Sequence, residues 1–309
     1  MSKLLDGWRL AGALAALALA APPPARACSV CNCGDPLVGV AEGHGRGDGA
    51  VRVGLEAEAL SQRAGSESEP GVEDVLDQTT LRLTGVWSPL ASLNVVAAVP
   101  LVHKVMKMDA AGVRTPVSDL TGVGDVELGA RWYLVDAIDL GKGRRHGLAL
   151  SAGTSVPTGG SRAKQDGARV DQHGQLGTGA WGPNAGLVWR LDQGDLGVLA
   201  SVVGRYRGEN ADGYRFGSAL LFTVQGRWAP RPWLALGAAV EGRDAGRDRE
   251  DGAWVENTGG RVAALTPSIH LRAYEGLWLG VRAQVPVWKQ LAGEQTVSSV
   301  WVASLTYEP

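Results

Sequence analysis

Residues 122–135 read GVGDVELGARWYLV. From Val126 onward every second residue is apolar: Val126, Leu128, Ala130, Trp132 and Leu134. Between them stand Glu127, Gly129, Arg131 and Tyr133. Successive side chains of an extended chain point to opposite faces, so this stretch reads as a strand with one apolar and one polar face. The pattern recurs about a dozen times along the 309 residues, with Gly, Asp and Pro turns between the repeats. Each repeat reaches the roughly nine to eleven residues that a tilted strand needs to cross a bilayer. The reading is an all-β fold: a single antiparallel transmembrane β-barrel of about 12 strands.

Working outward from 122–135, the expected strands are 51–60, 79–88, 92–101, 146–157, 181–191, 195–207, 214–228, 233–243, 259–273, 276–288 and 298–308. The connections at 88–91, 192–194, 229–232 and 274–275 are short, and those at 62–78, 102–121, 158–178 and 244–258 are long and polar. Residues 136–145, 208–213 and 289–297 are intermediate. Short periplasmic turns alternating with longer extracellular loops mark outer-membrane barrels, and an even strand number returns both termini to the periplasmic side. Closure also removes the edges that strands of this length would otherwise expose.

Composition agrees. A formal net charge of -2 provides no basic face for nucleic acid. Outside the N-terminus there is no apolar run of the ~18 residues that a helical span requires. The 44 glycines suit bends and close strand approach. Eleven Trp against two Phe fits the aromatic belts of a barrel in outer-membrane lipid, with Trp87, Trp132, Trp189, Trp228, Trp233, Trp278, Trp288 and Trp301 near strand ends or on apolar faces. The last strand, VWVASLTYEP, carries Trp301 and Tyr307 on one face, as a substrate of the barrel-assembly machinery does, although Glu308 and Pro309 follow the final aromatic.

The N-terminus reads as an export signal over 1–27: Lys3 and Arg9, an apolar core, and Ala25-Arg26-Ala27 as the cleavage site. Residues 28–50 form a periplasmic segment and 51–309 the barrel. Cys28, Cys31 and Cys33 are the only cysteines and form C-x2-C-x-C. Three readings stay open: a disulfide in an oxidising compartment, a site for a soft metal ion (copper, zinc or iron), or lipidation of Cys28. The metal reading would make the segment a contact for a periplasmic metal or electron carrier.

The polar phases of the strands nominate a lumen lining: Glu56, Glu58, Arg82, Glu127, Arg131, Arg190, Arg205, Arg227, Glu241, Arg243, Arg272 and Arg282. Both signs are present, as in a polar path for a small solute or in an interior filled by its own ion pairs. Catalytic residues are not expected. The five histidines, 44, 103, 146, 173 and 270, are scattered and assemble no Ser/His/acid set. Asp125 reads as a hydrogen-bonding residue at a strand entry.

Several segments resemble the outer-membrane family named after the meta-pathway of phenol degradation: GVGDVELGARWYL at 122–134, SVPTGG at 155–160, WAPRPW at 228–233 and TPSIHLRAYEGLWLGVRAQVPVW at 266–288. The resemblance covers roughly residues 50–309 and excludes the cysteine segment. It implies a porin-like or transporter-like barrel and carries no agreed catalytic or binding residues. The functional expectation is an outer-membrane channel or transporter for a small solute, with a metal- or redox-linked barrel as the alternative.

Overall fold

In the computed structural model of the chain, residues 49–65 and 72–309 are described. The export signal and Cys28, Cys31 and Cys33 lie outside them. The alternation seen in the sequence becomes twelve barrel strands. These are β1 (Ala50–Gly65), β2 (Val72–Leu90), β3 (Leu93–Ala110), β4 (Val113–Val123 continued by Val126–Asp139), β5 (Arg144–Val156) and β6 (Gly182–Gln193). The circuit continues with β7 (Leu196–Arg205), β8 (Ala219–Arg231), β9 (Leu234–Ala245), β10 (Gly260–Tyr274), β11 (Leu277–Leu291) and β12 (Gln295–Val297 continued by Val300–Tyr307).

Each strand pairs antiparallel with the next, and the sheet closes because β1 pairs with β2 on one side and β12 on the other, from Val53 opposite Tyr307 to Ala59 opposite Trp301. A closed sheet leaves no backbone edge at hydrocarbon depth, where an unpaired amide would have no water to bond.

The two faces differ as the pattern requires. Leu83, Leu128 and Trp132 point outward and are about half exposed, whereas Arg131 and Glu58 point inward and are 3% exposed. Trp87, Trp132, Trp189, Trp228 and Tyr307 stand outward toward the end that carries the short turns, and Trp181, Trp288 and Trp301 toward the end that carries the long loops. On the outer face the Phe222 ring lies over Gly242, its partner across β8 and β9, where a Cβ would sit 1.8 Å from the ring.

Three expected boundaries are corrected. Residues 62–78 and 102–121 are not loops throughout: β1 runs to Gly65, β2 begins at Val72, and β3 and β4 meet at a two-residue turn, Ala111-Gly112, with φ of 52° and 85°. That pair of positive φ values is the twist-compatible hairpin turn. These extensions carry His103, Asp77, Lys107, Arg114 and Asp119 in register. Above the apolar band both faces meet water, so the hydrophobic alternation stops while the backbone ladder continues. The strand expected at 214–228 begins instead at Ala219, because Tyr214 is drawn into the loop cluster described next.

Candidate functional site: the charged lumen and its loop plug

The lumen is built by residues that share the inward phase of neighbouring strands. On β1 and β2, Arg82 lies between Glu56 (3.5 Å) and Glu58 (3.8 Å), and Arg282 of β11 approaches Glu56 from the other side at 3.5 Å. Glu241 of β9 accepts hydrogen bonds from the Thr266 hydroxyl and the Gln284 amide, both at 2.5 Å. Arg205 of β7 donates to both carboxylate oxygens of Glu127 of β4, at 2.9 and 3.2 Å, passing over the intervening β5 and β6. Such a bidentate pair fixes orientation as well as charge.

Arg131 is inward and buried. Arg243 follows Glu241 by two residues, on the same face of β9. Toward the short-turn end, Arg190 bonds Asp192 at 2.9 Å and Arg227 reaches the same carboxylate at 3.9 Å. Arg272 sits exposed at the rim, with its backbone N–H bonded to the Trp233 carbonyl.

At the opposite end, residues 157–181 fold against the inner face of the barrel rather than away from it. Asp125, in the break between the two halves of β4, anchors both ends of this loop. It accepts from the Gly159 N–H (3.0 Å), the Thr178 N–H (2.8 Å) and the Thr178 hydroxyl (2.7 Å). The approach requires glycine, since a Cβ on Gly177 would stand 2.4 Å from an Asp125 oxygen and 2.6 Å from the Gly159 Cα. Lys104 of β3 donates to the carbonyls of His173 and Gln175 at 2.9 and 2.6 Å. The fully buried Gln175 ties the loop to itself through Ala163 and Val170.

The loop reaches across the mouth to those that follow β7 and β9. His173 Nε2 lies 2.9 Å from Asp248, which is fully buried and also accepts from the Tyr214 hydroxyl (2.8 Å) and the Gly217 N–H (2.7 Å). The His173 ring meets Phe216 edge-on at 5.6 Å. Asn210 bonds Gln172 and the Thr178 carbonyl, and Asn257 joins the Gly65 carbonyl to the Glu294 N–H.

Burial pushes the His173 pKa down, but Asp171 and Asp248 outweigh it and raise the value to about 10. Burial pushes Asp171 up, and His173 brings it down to about 2. At neutral pH the hub is therefore an imidazolium held by two carboxylates. The Tyr214 phenol is pushed up by burial and by Asp248, and stays a hydroxyl donor.

The plug residues were not among the twelve nominated from the strands. They lie on loops, where no period marks them, and His173 and Asp248 are 75 positions apart. Among the described residues there is no group of three or more His, Cys, Asp or Glu placed to hold a metal ion.

A sequence profile described as "Putative MetA-pathway of phenol degradation" matches residues 47–290. No curated protein gives a significant sequence match. Among solved structures, an outer membrane channel from Pseudomonas putida F1 is similar at a TM-score of 0.62 and 12% identity, covering 86% of this chain and 98% of that one. The autotransporter translocator domain of NalP from Neisseria meningitidis (TM-score 0.45, 12% identity, 87% and 92% covered) and the Ralstonia pickettii toluene transporter TbuX (0.41, 9%, 85% and 90%) are more distant. At these identities the likeness is one of fold, that of an outer-membrane β-barrel.

Proposed function

The chain belongs to the family described as the MetA-pathway of phenol degradation, and on that premise we propose that it is an outer-membrane channel for a small solute. In this reading the long-loop end faces the exterior and the short-turn end the periplasm, as in other outer-membrane barrels. The observation that carries it is the Arg205–Glu127 pair, a charged contact that crosses the interior at membrane depth. Ionisable groups at that depth are costly and are held in the polar interior, where they line the path open to a solute in this reading.

Passage is narrow in this reading. Inward side chains pair across the lumen, and the 157–181 loop covers its outer mouth, so selection acts at the plug and then along the charged lining.

Reconstitution into planar bilayers tests this. The expected result is small, discrete conductance steps that grow when the plug is loosened. Absence of steps from well-folded protein, in wild type and in a plug-loosened variant alike, overturns the reading.

A further inference from the structure

β4 outruns its neighbour at the short-turn end. β3 begins at Leu93, opposite Trp132 of β4, and the last bond across that side runs from the Tyr133 N–H to the Ser92 carbonyl (2.8 Å). β4 continues to Asp139, and over this stretch its ladder is with β5 alone, from Val135 opposite Leu148 to Asp139 opposite Arg144. Among the described residues no strand flanks the other side of 133–139. Elsewhere the overhang is shorter: β7 begins at Leu196 opposite Trp228, and β8 ends three residues later at Arg231.

The overhang is a backbone edge of the kind that accepts an added strand. Leu134, Val135, Ile138 and Leu140 are all exposed, Leu140 at 89%. The carboxylates beside them are engaged within the hairpin, Asp136 by both arms of Arg145 (2.7 and 2.6 Å) and Asp139 by Lys142 (2.9 Å). Proteins commonly blunt such edges with proline or with capping groups. The upper half of β4, which also has one side without a strand, does so: Pro116 has no N–H to offer, and the Asp119 N–H is capped by the Gln165 side chain at 2.9 Å. Residues 133–139 contain no proline.

The chain enters the barrel beside this edge. The Gly49 N–H bonds the Ser88 carbonyl, so Gly49 and Tyr133 are both tied to the turn between β2 and β3. Three strand spacings separate β1 from β4, about 14 Å, and the seven residues 42–48 can span about 23 Å. Just before them stands PLVGVA, residues 36–41, with Leu37, Val38 and Val40 as strand-forming side chains and Pro36 as a stop. β4 runs toward the short-turn end, so a segment antiparallel to it finishes at the level of Gly49.

We propose that residues 37–41 add to the 133–139 edge as an antiparallel strand, held by main-chain hydrogen bonds with the apolar side chains of both segments packed together. Cys33 is four residues from Leu37, so this docking holds the C-x2-C-x-C motif beside the short-turn mouth. The proposal is independent of the channel reading.

The test is hydrogen exchange, read by mass spectrometry on peptides spanning 133–139, with the full chain purified from outer membranes in detergent. Wild type is compared with Val38→Pro combined with Val40→Pro, which removes two main-chain donors from the segment. Exchange over 133–139 is expected to be at least about tenfold slower in wild type than in the proline variant. Val38→Thr with Val40→Thr keeps the donors and the strand preference and should retain the protection. Peptides from 93–100 should exchange alike in all three, which checks that the barrel is intact. Fast exchange over 133–139 in wild type and proline variant alike overturns the proposal, because the edge is then open. Equally slow exchange in both overturns it too, because the edge is then covered by a second copy or by another protein.

Discussion

His173 Nε2 lies 2.9 Å from the Asp248 carboxylate and joins the loop after β5 to the loop after β9 across the mouth of the barrel. Asp248 is fully buried, and three donors converge on it, so removing its charge leaves an imidazolium without its inner partner. Breaking one side of a buried ion pair typically costs about 3–5 kcal/mol. Asp248→Asn is therefore expected to release the 157–181 loop while the barrel stays folded. Limited trypsin digestion should then cut at the exposed Arg162, Lys164 or Arg169, with larger conductance steps. Protection equal to that of wild type would show that the hub does not hold the plug.

The same pair sets a pH dependence. The His173 pKa is raised from an ordinary 6.5 to about 10, so its contribution to plug stability is complete below about 6.5 and is lost as pH rises through about 10. Proteolytic protection of the loop should accordingly hold at neutral pH and fall on the alkaline side of that window. His173→Asn should have weaker protection at neutral pH and a flatter profile between those values. Loss of protection on acidification instead, above the Asp171 range of about 2, would contradict the assignment.

How far the sequence reveals this molecule depends on which side of the membrane boundary a residue occupies. Between Val126 and Leu134 the contrast is lipid against lumen, so a period of two is visible, and Glu127 and Arg131 are found on the inner wall. Above Leu101 and Val123 that contrast disappears, and 102–121 looks like a loop although His103 and Thr121 remain in register. Lumen partners were legible as a phase but not as pairs: nothing in the sequence assigns Arg205 to Glu127, 78 positions away. The plug was legible only as a long glycine-rich insertion. The approach of Gly177 to Gly159 around Asp125 follows from chain closure in three dimensions.

The Arg205–Glu127 contact is open to a double-mutant cycle. Both side chains are largely buried, at 11% and 15% exposure, and hydrogen bonds to charged groups are worth about 1.5–3 kcal/mol. Arg205→Met and Glu127→Gln should each destabilise the barrel, and together by less than their sum, with a coupling of about 2 kcal/mol in urea unfolding from phospholipid vesicles. Strict additivity would mean that the pair is a contact without energetic consequence, and would weaken the case that the interior is built around it.

The last prediction separates lipid from water on the outer wall. Leu83 and Val117 are almost equally exposed, at 51% and 49%, and both point away from the lumen. Leu83 stands within the apolar band, paired with Leu55 and Val99, whereas Val117 lies on the β3–β4 hairpin among Arg114, Ser118 and Asp119. In water the two positions would tolerate arginine alike. In a bilayer a charge near the midplane costs about 2–4 kcal/mol, and one beyond the interface almost nothing. Leu83→Arg is therefore expected to lower folding stability in vesicles by about that amount, with Val117→Arg within about 0.5 kcal/mol of wild type. Equal tolerance of both substitutions would mean that the exposed leucines and valines face something other than lipid.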